Sequence, residues 1–476
     1  MGPESVPAVG SRVHRRVLGS AAAARDLLQP PPMSVPPRAP LVVLGAGLTG
    51  LSAAWHARGP VLLVERADRV GGHARSVRRD GFTFDVTGHW LHLRDPAIRA
   101  MVEGLFSPGE LATVERRTRV YSHGALLPYP FQANLHGLPL EVVQECLVGY
   151  VAARERAARG APEPTSFVGF AEARFGAGIA RHFFVPYNRK LWGEHLDALT
   201  AAWVSRYIPV PDTAQVIGGA IGLAQEGLGY NARFVYPTAG GIDHVPERLR
   251  AALASRPAVD LQLGCDVDEV DVAGRRIKLT ARPDWQPYAA LVSTIPLPEL
   301  VTRIPSAPPA VREAAAQLRH IRWRWLDVAV RARVPADWHW VYVPEPRLPF
   351  FRVGVYSNAA ARTAPPGCAS LYVELTDRAG PIDLPAVLAG LVELGALGAA
   401  EDVQFIEARE VEHAYVVFDA AWERARATIL GWLAGQAILS CGRYGGWTYN
   451  GMEDCLIAGR DAAAWASGHV LEETRA

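Results

Sequence analysis

The chain has almost no lysine and no surplus of either charge. Only two of its 49 basic residues are lysines, Lys190 and Lys278, and 48 acidic residues leave a formal net charge of +1. The charged residues are scattered rather than grouped, so the chain offers no strongly charged surface to a nucleic acid. Because alanine, proline and glycine are abundant, we interpret the scarcity of lysine as a coding bias.

Cysteine is also scarce. The five cysteines are odd in number and form no CxxC pair: Cys146, Cys265, Cys368, Cys441 and Cys455. This spacing indicates neither a disulfide framework nor a cysteine-bound metal, and it fits a reducing compartment. We therefore predict a cytoplasmic protein without a metal site.

A long apolar run and a secretory signal are missing as well. The sequence has no stretch of about 18 apolar residues, so no integral membrane segment is expected. The most apolar segment, 386–400, is interrupted by Glu393 and predicts a core helix. Residues 1–39 are rich in Pro, Ala and Arg and lack the apolar centre of a signal sequence, so we predict a disordered N-terminal tail.

The most informative segment that is present is 41–76. Apolar runs at 41–44 and 61–64 flank an Ala-rich periodic stretch, and the spacing GxGxxG follows the first run at Gly45, Gly47 and Gly50. In such a strand-turn-helix-strand unit, the first glycine permits the turn and the second lets a pyrophosphate approach the backbone. The third lets helix and strand pack closely. The pattern predicts a Rossmann-like nucleotide-binding domain.

The residues after the second apolar run indicate which dinucleotide binds. Glu65 lies where a carboxylate would accept hydrogen bonds from the ribose hydroxyls of an adenosine. Gly71 and Gly72 follow, and then Arg75 and Ser76. This pattern, E-x(5)-GG-x(3)-S, resembles flavoproteins of the amine oxidase, protoporphyrinogen oxidase and UDP-galactopyranose mutase superfamily. In them the segment wraps the FAD diphosphate, so the resemblance implies FAD, with NAD(P) a distant second.

The end of the chain carries a second resemblance to the mutases. Residues 442–454, GRYGGWTYNGMED, are similar to the mutase pattern G-R-L-G-x-Y-x-Y-x-D-M. Arg443 matches an arginine that approaches the flavin diphosphate, and a helix starting near Met452 would point its N-terminal amides at the flavin pyrimidine. Tyr449 matches a tyrosine that binds the substrate phosphate, while Trp447 replaces the other such tyrosine. We take Tyr449 as a candidate catalytic residue.

Residues 81–93, GFTFDVTGHWLHL, predict an alternating strand followed by a turn with His89 and His92. The run resembles the G-x-H-x-F-H stretch of the mutases, in which the first histidine lies close to the isoalloxazine ring. The resemblance makes His89 a candidate catalytic residue. A histidine satisfied within the core remains the alternative.

Residues 183–193, FFVPYNRKLWG, contain one of the two lysines. Lysine can lose its proton and fits where a guanidinium does not, which makes Lys190 a candidate catalytic residue. The run also resembles the mutase stretch Y-T-A-K-Q-W, whose aromatic residues contact the nucleotide part of the substrate. This resemblance implies a substrate-binding role for Tyr187 and Trp192. A surface lysine between buried aromatic residues is the alternative.

Residues 205–212, SRYIPVPD, depart from the mutase pattern. The mutases have two arginines here, one of which binds the substrate diphosphate, whereas this chain keeps Arg206 and has Pro211 in the second position. Loss of a bidentate phosphate contact costs several kcal/mol unless another arginine, such as Arg233 or Arg352, replaces it. The departure argues against a galactopyranose mutase proper.

The predicted fold class is α/β, with a discontinuous Rossmann-like FAD-binding domain and an α/β substrate domain. The FAD-binding domain is predicted from 40–100, 234–304 and 426–476, and Val267 in its second piece is a predicted cofactor contact. The substrate domain is predicted from 101–233, mostly helical by periodicity, and from 305–425.

The sequence leaves three functions open, all with a small-molecule ligand. The first is an FAD-dependent oxidoreductase that passes a hydride from an organic substrate to flavin N5. The alternative is a sugar-nucleotide isomerase resembling UDP-galactopyranose mutase, in which reduced N5 attacks the anomeric carbon. The third is a flavin-stabilised binding protein without turnover.

Overall fold

The computed structural model describes residues 39–201, 208–223, 232–377 and 379–473. Arg206 and all but the last residue of the predicted N-terminal tail lie outside these ranges. Within them, no helix is both long enough and apolar enough to cross a membrane.

The strands and helices are numbered in chain order. The strands are β1 (Leu41–Leu44), β2 (Val61–Glu65), β3 (Ser76–Arg79), β4 (Phe82–Asp85), β5 (Leu111–Glu115), β6 (Thr118–Ser122), β7 (Ala125–Pro128), β8 (Arg233–Pro237), β9 (Val259–Leu263), β10 (Val267–Asp271), β11 (Arg276–Leu279), β12 (Gln286–Pro287), β13 (Ala290–Ser293), β14 (His320–Val330), β15 (Trp340–Tyr342), β16 (Phe350–Val355), β17 (Ala369–Leu375), β18 (Val403–Val416) and β19 (Ile438–Ser440). The helices are α1 (Leu48–His56), α2 (Pro96–Glu103), α3 (Leu140–Ala158), α4 (Phe167–Ile179), α5 (Val185–Trp192), α6 (Thr213–Ala220), α7 (His244–Ala254), α8 (Leu297–Thr302), α9 (Pro309–Gln317), α10 (Leu384–Glu393), α11 (Trp422–Ala434), α12 (Gly442–Gly445) and α13 (Met452–Glu473).

A parallel sheet contains the strands predicted from residues 41–76. Its order is β19-β13-β1-β2-β9, and every neighbouring pair is parallel. β1 and β2 are buried along their whole length, as expected for continuous apolar runs in a parallel sheet that is covered on both faces. The predicted α/β fold with a Rossmann-like nucleotide-binding part is confirmed.

Glycines allow the elements around β1 to approach each other closely. A Cβ atom on Gly50 would lie 1.9 Å from the carbonyl oxygen of Gly45, and one on Gly459 would lie 2.3 Å from that of Thr49. Gly50 therefore lets α1 start directly behind the turn that follows β1, while Gly459 lets α13 pack on α1. This is the close packing expected of the third glycine of the motif.

A second sheet is formed by the two segments predicted as the substrate domain. Its order is β18-β14-β17-β16-β15-β6-β7. The first of these segments is mostly helical, as its periodicity predicts, since α3, α4, α5 and α6 outweigh the short strands β5, β6 and β7 that residues 111–128 contribute. The division into two domains stays a prediction, and the two large sheets draw their strands from the pieces it assigned.

Candidate functional site

A cavity of about 450 Å³ opens at the carboxyl ends of β1 and β2 and reaches the seven-stranded sheet. Parallel sheets bind ligands at this edge. One end, here called the glycine end, is lined by residues that include Gly45, Gly47, Glu65, Gly71, Gly72, Arg75 and Val267. The other, here called the aromatic end, is lined by residues that include Trp90, Trp323, Trp340, Tyr342, Tyr372, Tyr415 and Tyr449.

At the glycine end, two glycine turns lie against each other. Gly47 forms a β-bridge with Gly71, and a Cβ atom on Gly72 would lie 3.3 Å from the Cα atom of Gly47. Gly47 is also the N-cap of α1, and no side chain caps that helix. The backbone N–H groups of its first turn are therefore available to an anion, and no side chain stands between the two turns to exclude one.

Glu65 is held firmly at the end of β2. Its carboxylate accepts hydrogen bonds from the backbone N–H groups of Ala46 at 2.8 Å and Ala67 at 2.9 Å, and only 7% of the residue is exposed. Each carboxylate oxygen can accept a second hydrogen bond. The side chain therefore offers fixed acceptors to hydroxyl groups in the cavity.

Arg75 supplies a donor without a partner. Its Nε atom is buried and makes no hydrogen bond within the part of the chain that the structure describes. A buried donor of this kind is costly unless a ligand or water satisfies it. Together with the uncapped helix, the touching glycines and the fixed Glu65 carboxylate, Arg75 fits the diphosphate and ribose of a dinucleotide such as FAD.

His89 lies on the loop that follows β4 and lines the cavity. Thr87 has a left-handed backbone with φ of +58°, and a Cβ atom on Gly88 would lie 2.4 Å from the Tyr372 hydroxyl. The loop therefore packs closely against the seven-stranded sheet. Burial, followed by the charge of Arg443, lowers the pKa of His89 to about 4, so the imidazole is neutral at pH 7.

Arg443 and two tyrosines form a stacked group at the aromatic end of the cavity. The guanidinium donates to the carbonyl oxygens of Asn450 at 2.7 Å and Ala414 at 3.0 Å. It lies 5.0 Å from the ring centroid of Tyr415 and 4.8 Å from that of Tyr449, and these two rings stack at 5.5 Å. Cation–π contacts of this kind fix both the charge and the rings. Arg443, Tyr449 and Met452 all line the cavity.

Arg352 places a second fixed guanidinium at the aromatic end. It lies on β16 opposite Glu374 on β17, and it donates through both Nε and Nη2 to the two carboxylate oxygens, the latter at 2.7 Å. Glu374 is fully buried, and burial raises the pKa of its carboxyl although the charge of Arg352 opposes this. Such a two-point pair sets the guanidinium plane, so the direction of the positive charge is fixed.

Lys190 does not line the cavity, which departs from its predicted catalytic position. Its ammonium donates to the carbonyl oxygens of Val343 at 3.1 Å, Glu345 at 2.6 Å and Phe350 at 2.6 Å. Burial lowers the pKa of Lys190 to about 7. The side chain joins α5 to the ends of β15 and β16, where three carbonyl groups explain why an ammonium with three donors occurs in an arginine-rich chain.

The other predicted substrate contacts lie one layer behind the cavity wall or outside the described ranges. Tyr187 packs edge-on against Tyr342 at 5.3 Å, and Trp192 packs edge-on against Tyr415 at 5.7 Å. Neither Tyr187 nor Trp192 lines the cavity itself, so each supports a wall residue rather than forming the wall. Arg206 lies outside the described residues.

Some wall residues were not singled out from the sequence. His73 could have been identified from the sequence, because it stands inside the GG-x(3)-S segment. No sequence pattern identifies Tyr372 and Tyr415 as wall residues, since each belongs to a strand whose partner strands are distant in the sequence. Trp323 and Trp340 line the cavity as well.

The chain belongs to the family of flavin containing amine oxidoreductases. Residues 48–324, more than half of the chain, match this family. The match includes the Glu65 to Arg75 part of the glycine end, His89 and the wall residue Trp323. It defines the protein as a member of a flavoprotein family, and the predicted superfamily is confirmed.

Individual relatives are more distant. Coproporphyrinogen III oxidase of Propionibacterium freudenreichii subsp. freudenreichii is 30% identical over 174 residues, which span 34% of this chain and only 33% of that enzyme. A crystal structure of reduced UDP-galactopyranose mutase superposes with a TM-score of 0.82 over 93% of this chain and 94% of that chain, at 24% identity. The structure of wild-type putrescine oxidase bound to putrescine superposes with a TM-score of 0.59 over 90% of this chain and 98% of that chain, at 16% identity. These structural similarities establish the fold.

Proposed function

We propose that the protein is an FAD-dependent oxidoreductase that takes a hydride from an organic substrate. The observation that carries the proposal is one continuous cavity that joins the glycine end to the aromatic end. A dinucleotide whose diphosphate lies at the glycine end would extend its reacting ring toward the aromatic end. FAD bound there supplies the hydride acceptor, N5 of its ring.

The aromatic end favours a partly flat substrate that carries an anionic group. Trp323 and Trp340 offer apolar faces, Tyr372 and Tyr449 lie beside them, and Arg352 supplies a fixed positive charge. A hydrogen bond from a guanidinium to an anion contributes roughly 1.5–3 kcal/mol. In this proposal Arg352 binds the anionic group, Tyr449 orients the substrate, and His89 is a positioning residue at the ring.

A first experiment tests the cofactor and the reaction together. Denatured protein is expected to release FAD rather than FMN, because the glycine end offers an uncapped helix N-terminus and the fixed Glu65 carboxylate to an adenosine diphosphate. Anaerobic mixing with amines and with porphyrinogens is then followed at the flavin absorption band, beside an oxygen-consumption assay. Bleaching of the flavin by one of these substrates supports the oxidoreductase. FMN in place of FAD contradicts it.

A flavin-dependent sugar-nucleotide mutase is the second candidate, and one observation favours it. Arg443 stacks on Tyr415 and Tyr449, and Arg352 stands at the same end of the cavity. Two fixed guanidinium groups and phenol hydroxyls suit a substrate diphosphate. The mutases have a second arginine where this chain has Pro211, and Arg352 is one of the two arginines that could replace it.

The two candidates differ in the state of the flavin that they require. A mutase turns over nucleotide sugars only after dithionite or NAD(P)H has reduced the flavin, and it produces no net redox change. In an oxidoreductase, the substrate itself bleaches the oxidised flavin, and no prior reduction is needed. Turnover of nucleotide sugars seen solely with reduced enzyme would replace the first proposal by the second.

A further inference from the structure

A β-bulge in β16 lies directly before Arg352. The pairing of β16 with β17 shifts register between Phe350 and Arg352, which makes Phe351 an extra residue on its strand. Phe351 and Arg352 both reach Trp323, with the Phe351 ring 5.2 Å and the guanidinium carbon 5.7 Å from its ring centroid. Consecutive residues of a regular strand point to opposite faces, so the bulge lets both side chains lie beside this wall residue.

Glu374 occupies one edge of the Arg352 guanidinium. The group is planar with five N–H bonds, and the two donors that face Glu374, Nε and Nη2, share one edge of it. Nη1 makes no hydrogen bond within the described residues. The Arg352 side chain is 18% exposed and lines the cavity, whereas that of Glu374 is 0% exposed and does not. The edge formed by Nη1 and the second N–H of Nη2 is therefore the one left for a ligand.

Stability alone does not explain this ion pair. Taking two charges out of water is unfavourable, so a buried pair often stabilises a fold no more than apolar residues of the same size. Burial raises the pKa of the Glu374 carboxyl, while the charge of Arg352 and hydrogen bonds from Arg352 and Thr87 lower it. Arg352 does not lose its proton, and its two-point contact holds Glu374 as a carboxylate. Orientation of the guanidinium is a property that apolar residues could not supply.

We propose that Glu374 is a positioning residue that makes Arg352 selective for the carboxylate of a flat substrate. The inference rests on the proposed function, in which Arg352 binds the anionic group. The free edge offers two parallel N–H groups in one plane, which match the two oxygens of a carboxylate. A neutral amide offers only one acceptor there, and an ammonium group offers none.

The negative charge of Glu374 adds a second selection. Its two oxygens already accept from Arg352, so the buried carboxylate is not available to a cationic amine. It repels a negative charge placed on the other side of the guanidinium, and this repulsion is greater for a doubly charged phosphate than for a singly charged carboxylate. The selected substrate class is a flat monocarboxylate.

The test is calorimetric titration of the flavin-loaded protein with four probes of similar size: benzoate, benzamide, benzylamine and phenyl phosphate. Wild-type protein is expected to bind benzoate about 10- to 100-fold more tightly than benzamide, because hydrogen bonds between charged groups are the stronger ones. Phenyl phosphate should bind more weakly than benzoate, and benzylamine most weakly. Absence of benzoate binding, equal affinities for benzoate and benzamide, or a preference for phenyl phosphate or benzylamine overturns the inference.

Glu374→Gln separates orientation from charge. The variant keeps the shape of the side chain and removes a negative charge near the ligand, so charge alone would make benzoate bind more tightly. Loss of the two-point contact frees the guanidinium to turn, and we therefore expect benzoate to bind about 10-fold more weakly while benzamide changes little. A purely structural role would weaken both probes together. Equal weakening of both, or unchanged or tighter benzoate binding, overturns the inference.

The matched control is Glu393→Gln. Glu393 forms another two-point pair, with Arg347, and neither residue lines the cavity. The ratio of the benzoate and benzamide affinities should therefore keep its wild-type value. Arg352→Lys provides the test if Glu374→Gln does not fold, because lysine keeps the charge and lacks the planar pair of donors. A wild-type ratio in Arg352→Lys overturns the inference.

Arg352→Met distinguishes this inference from the proposed function. If Arg352→Met loses the preference for benzoate and Glu374→Gln keeps it, Arg352 remains the anion site and only the positioning role of Glu374 is overturned. A preference that survives in Arg352→Met removes Arg352 from the proposed function as well. Hydride transfer itself is tested separately, by bleaching of the flavin.

Discussion

Glu65 links the turn that follows β1 to the residues that follow β2. Its two carboxylate oxygens accept from Ala46 and Ala67, and the side chain lines the cavity. We expect Glu65→Ala to weaken FAD retention by about 10- to 100-fold, because the ribose hydroxyls lose acceptors that are together worth roughly 1.5–3 kcal/mol. FAD content after gel filtration and the dissociation constant of reconstituted apoprotein measure the effect.

The control for this position is Glu65→Gln. The amide keeps an acceptor oxygen and the shape of the side chain but loses the charge, so its loss of affinity should fall between those of wild type and Glu65→Ala. Full FAD occupancy in Glu65→Ala would remove Glu65 from the cofactor site.

Lys190 is predicted to stabilise the fold rather than to react. In Lys190→Met the carbonyl groups of Val343, Glu345 and Phe350 lose their shared donor, which we expect to lower the free energy of unfolding by about 2–4 kcal/mol. Flavin content below the melting temperature should stay unchanged, because the side chain does not line the cavity. Thermal unfolding and flavin absorbance measure the two quantities.

Lys278 provides a matched comparison for that variant, since it is the second lysine of the chain and only partly buried. Lys278→Met should change the melting temperature much less than Lys190→Met. A Lys190→Met protein with normal stability and a large loss of turnover would restore the catalytic role suggested by the sequence.

At the scale of the elements, the glycine spacing in the first βαβ unit leads to a prediction with an internal control. Gly50→Ala places a Cβ atom 1.9 Å from the Gly45 carbonyl oxygen, so α1 must move away from the turn. We expect loss of FAD and a destabilisation of several kcal/mol. Gly59→Ala, at an exposed position where a Cβ atom meets no atom within 4 Å, should change neither FAD content nor melting temperature by a measurable amount.

The same unit shows which parts of the fold a sequence can specify. The strand, turn, helix and strand of 41–65 follow from local spacing, because each glycine requirement arises within a few residues. The antiparallel pairing of β10 and β11 across their short connection is likewise a local contact. By contrast, Arg352 and Glu374 meet only because β16 and β17 pair in one register, which no local pattern encodes.

Lys190 illustrates the same limit at the candidate site. Its rarity in the chain marked it correctly as unusual, but rarity does not reveal which face of α5 carries it. The face is decided by packing of α5 against the turn between β15 and β16, where Val343, Glu345 and Phe350 supply the carbonyl groups. His89, Arg443 and Tyr449 do line the cavity. They could be identified because each belongs to a local sequence motif, which can be recognised without knowledge of the strand pairing. Their individual roles stay predictions.

Across the whole molecule, burial of neutral histidines makes stability depend on pH. Burial is the first cause that lowers the pKa of His73 to about 3 and of His89, His92, His339 and His413 to about 4. In the unfolded chain these groups titrate near 6.5. Between about pH 6.5 and 4 the unfolded state therefore binds more protons, so the free energy of unfolding falls as the pH falls.

Each of these histidines contributes at most about 1.4 kcal/mol per pH unit within that window. Urea unfolding of the apoprotein at several pH values between about 7 and 4.5 should show a midpoint that decreases steadily toward acid. The holoprotein should lose less, because the FAD diphosphate pairs with Arg75 and Arg443 and thereby makes protonation of His73 less unfavourable. Burial raises the pKa of Asp85 to about 7 and of Asp327 to about 6, which acts in the opposite direction, so a constant midpoint in the apoprotein would show that the five histidines do not outweigh these two carboxyls. An acid sensitivity equal in apoprotein and holoprotein would contradict the coupling of His73 to the anion in the cavity.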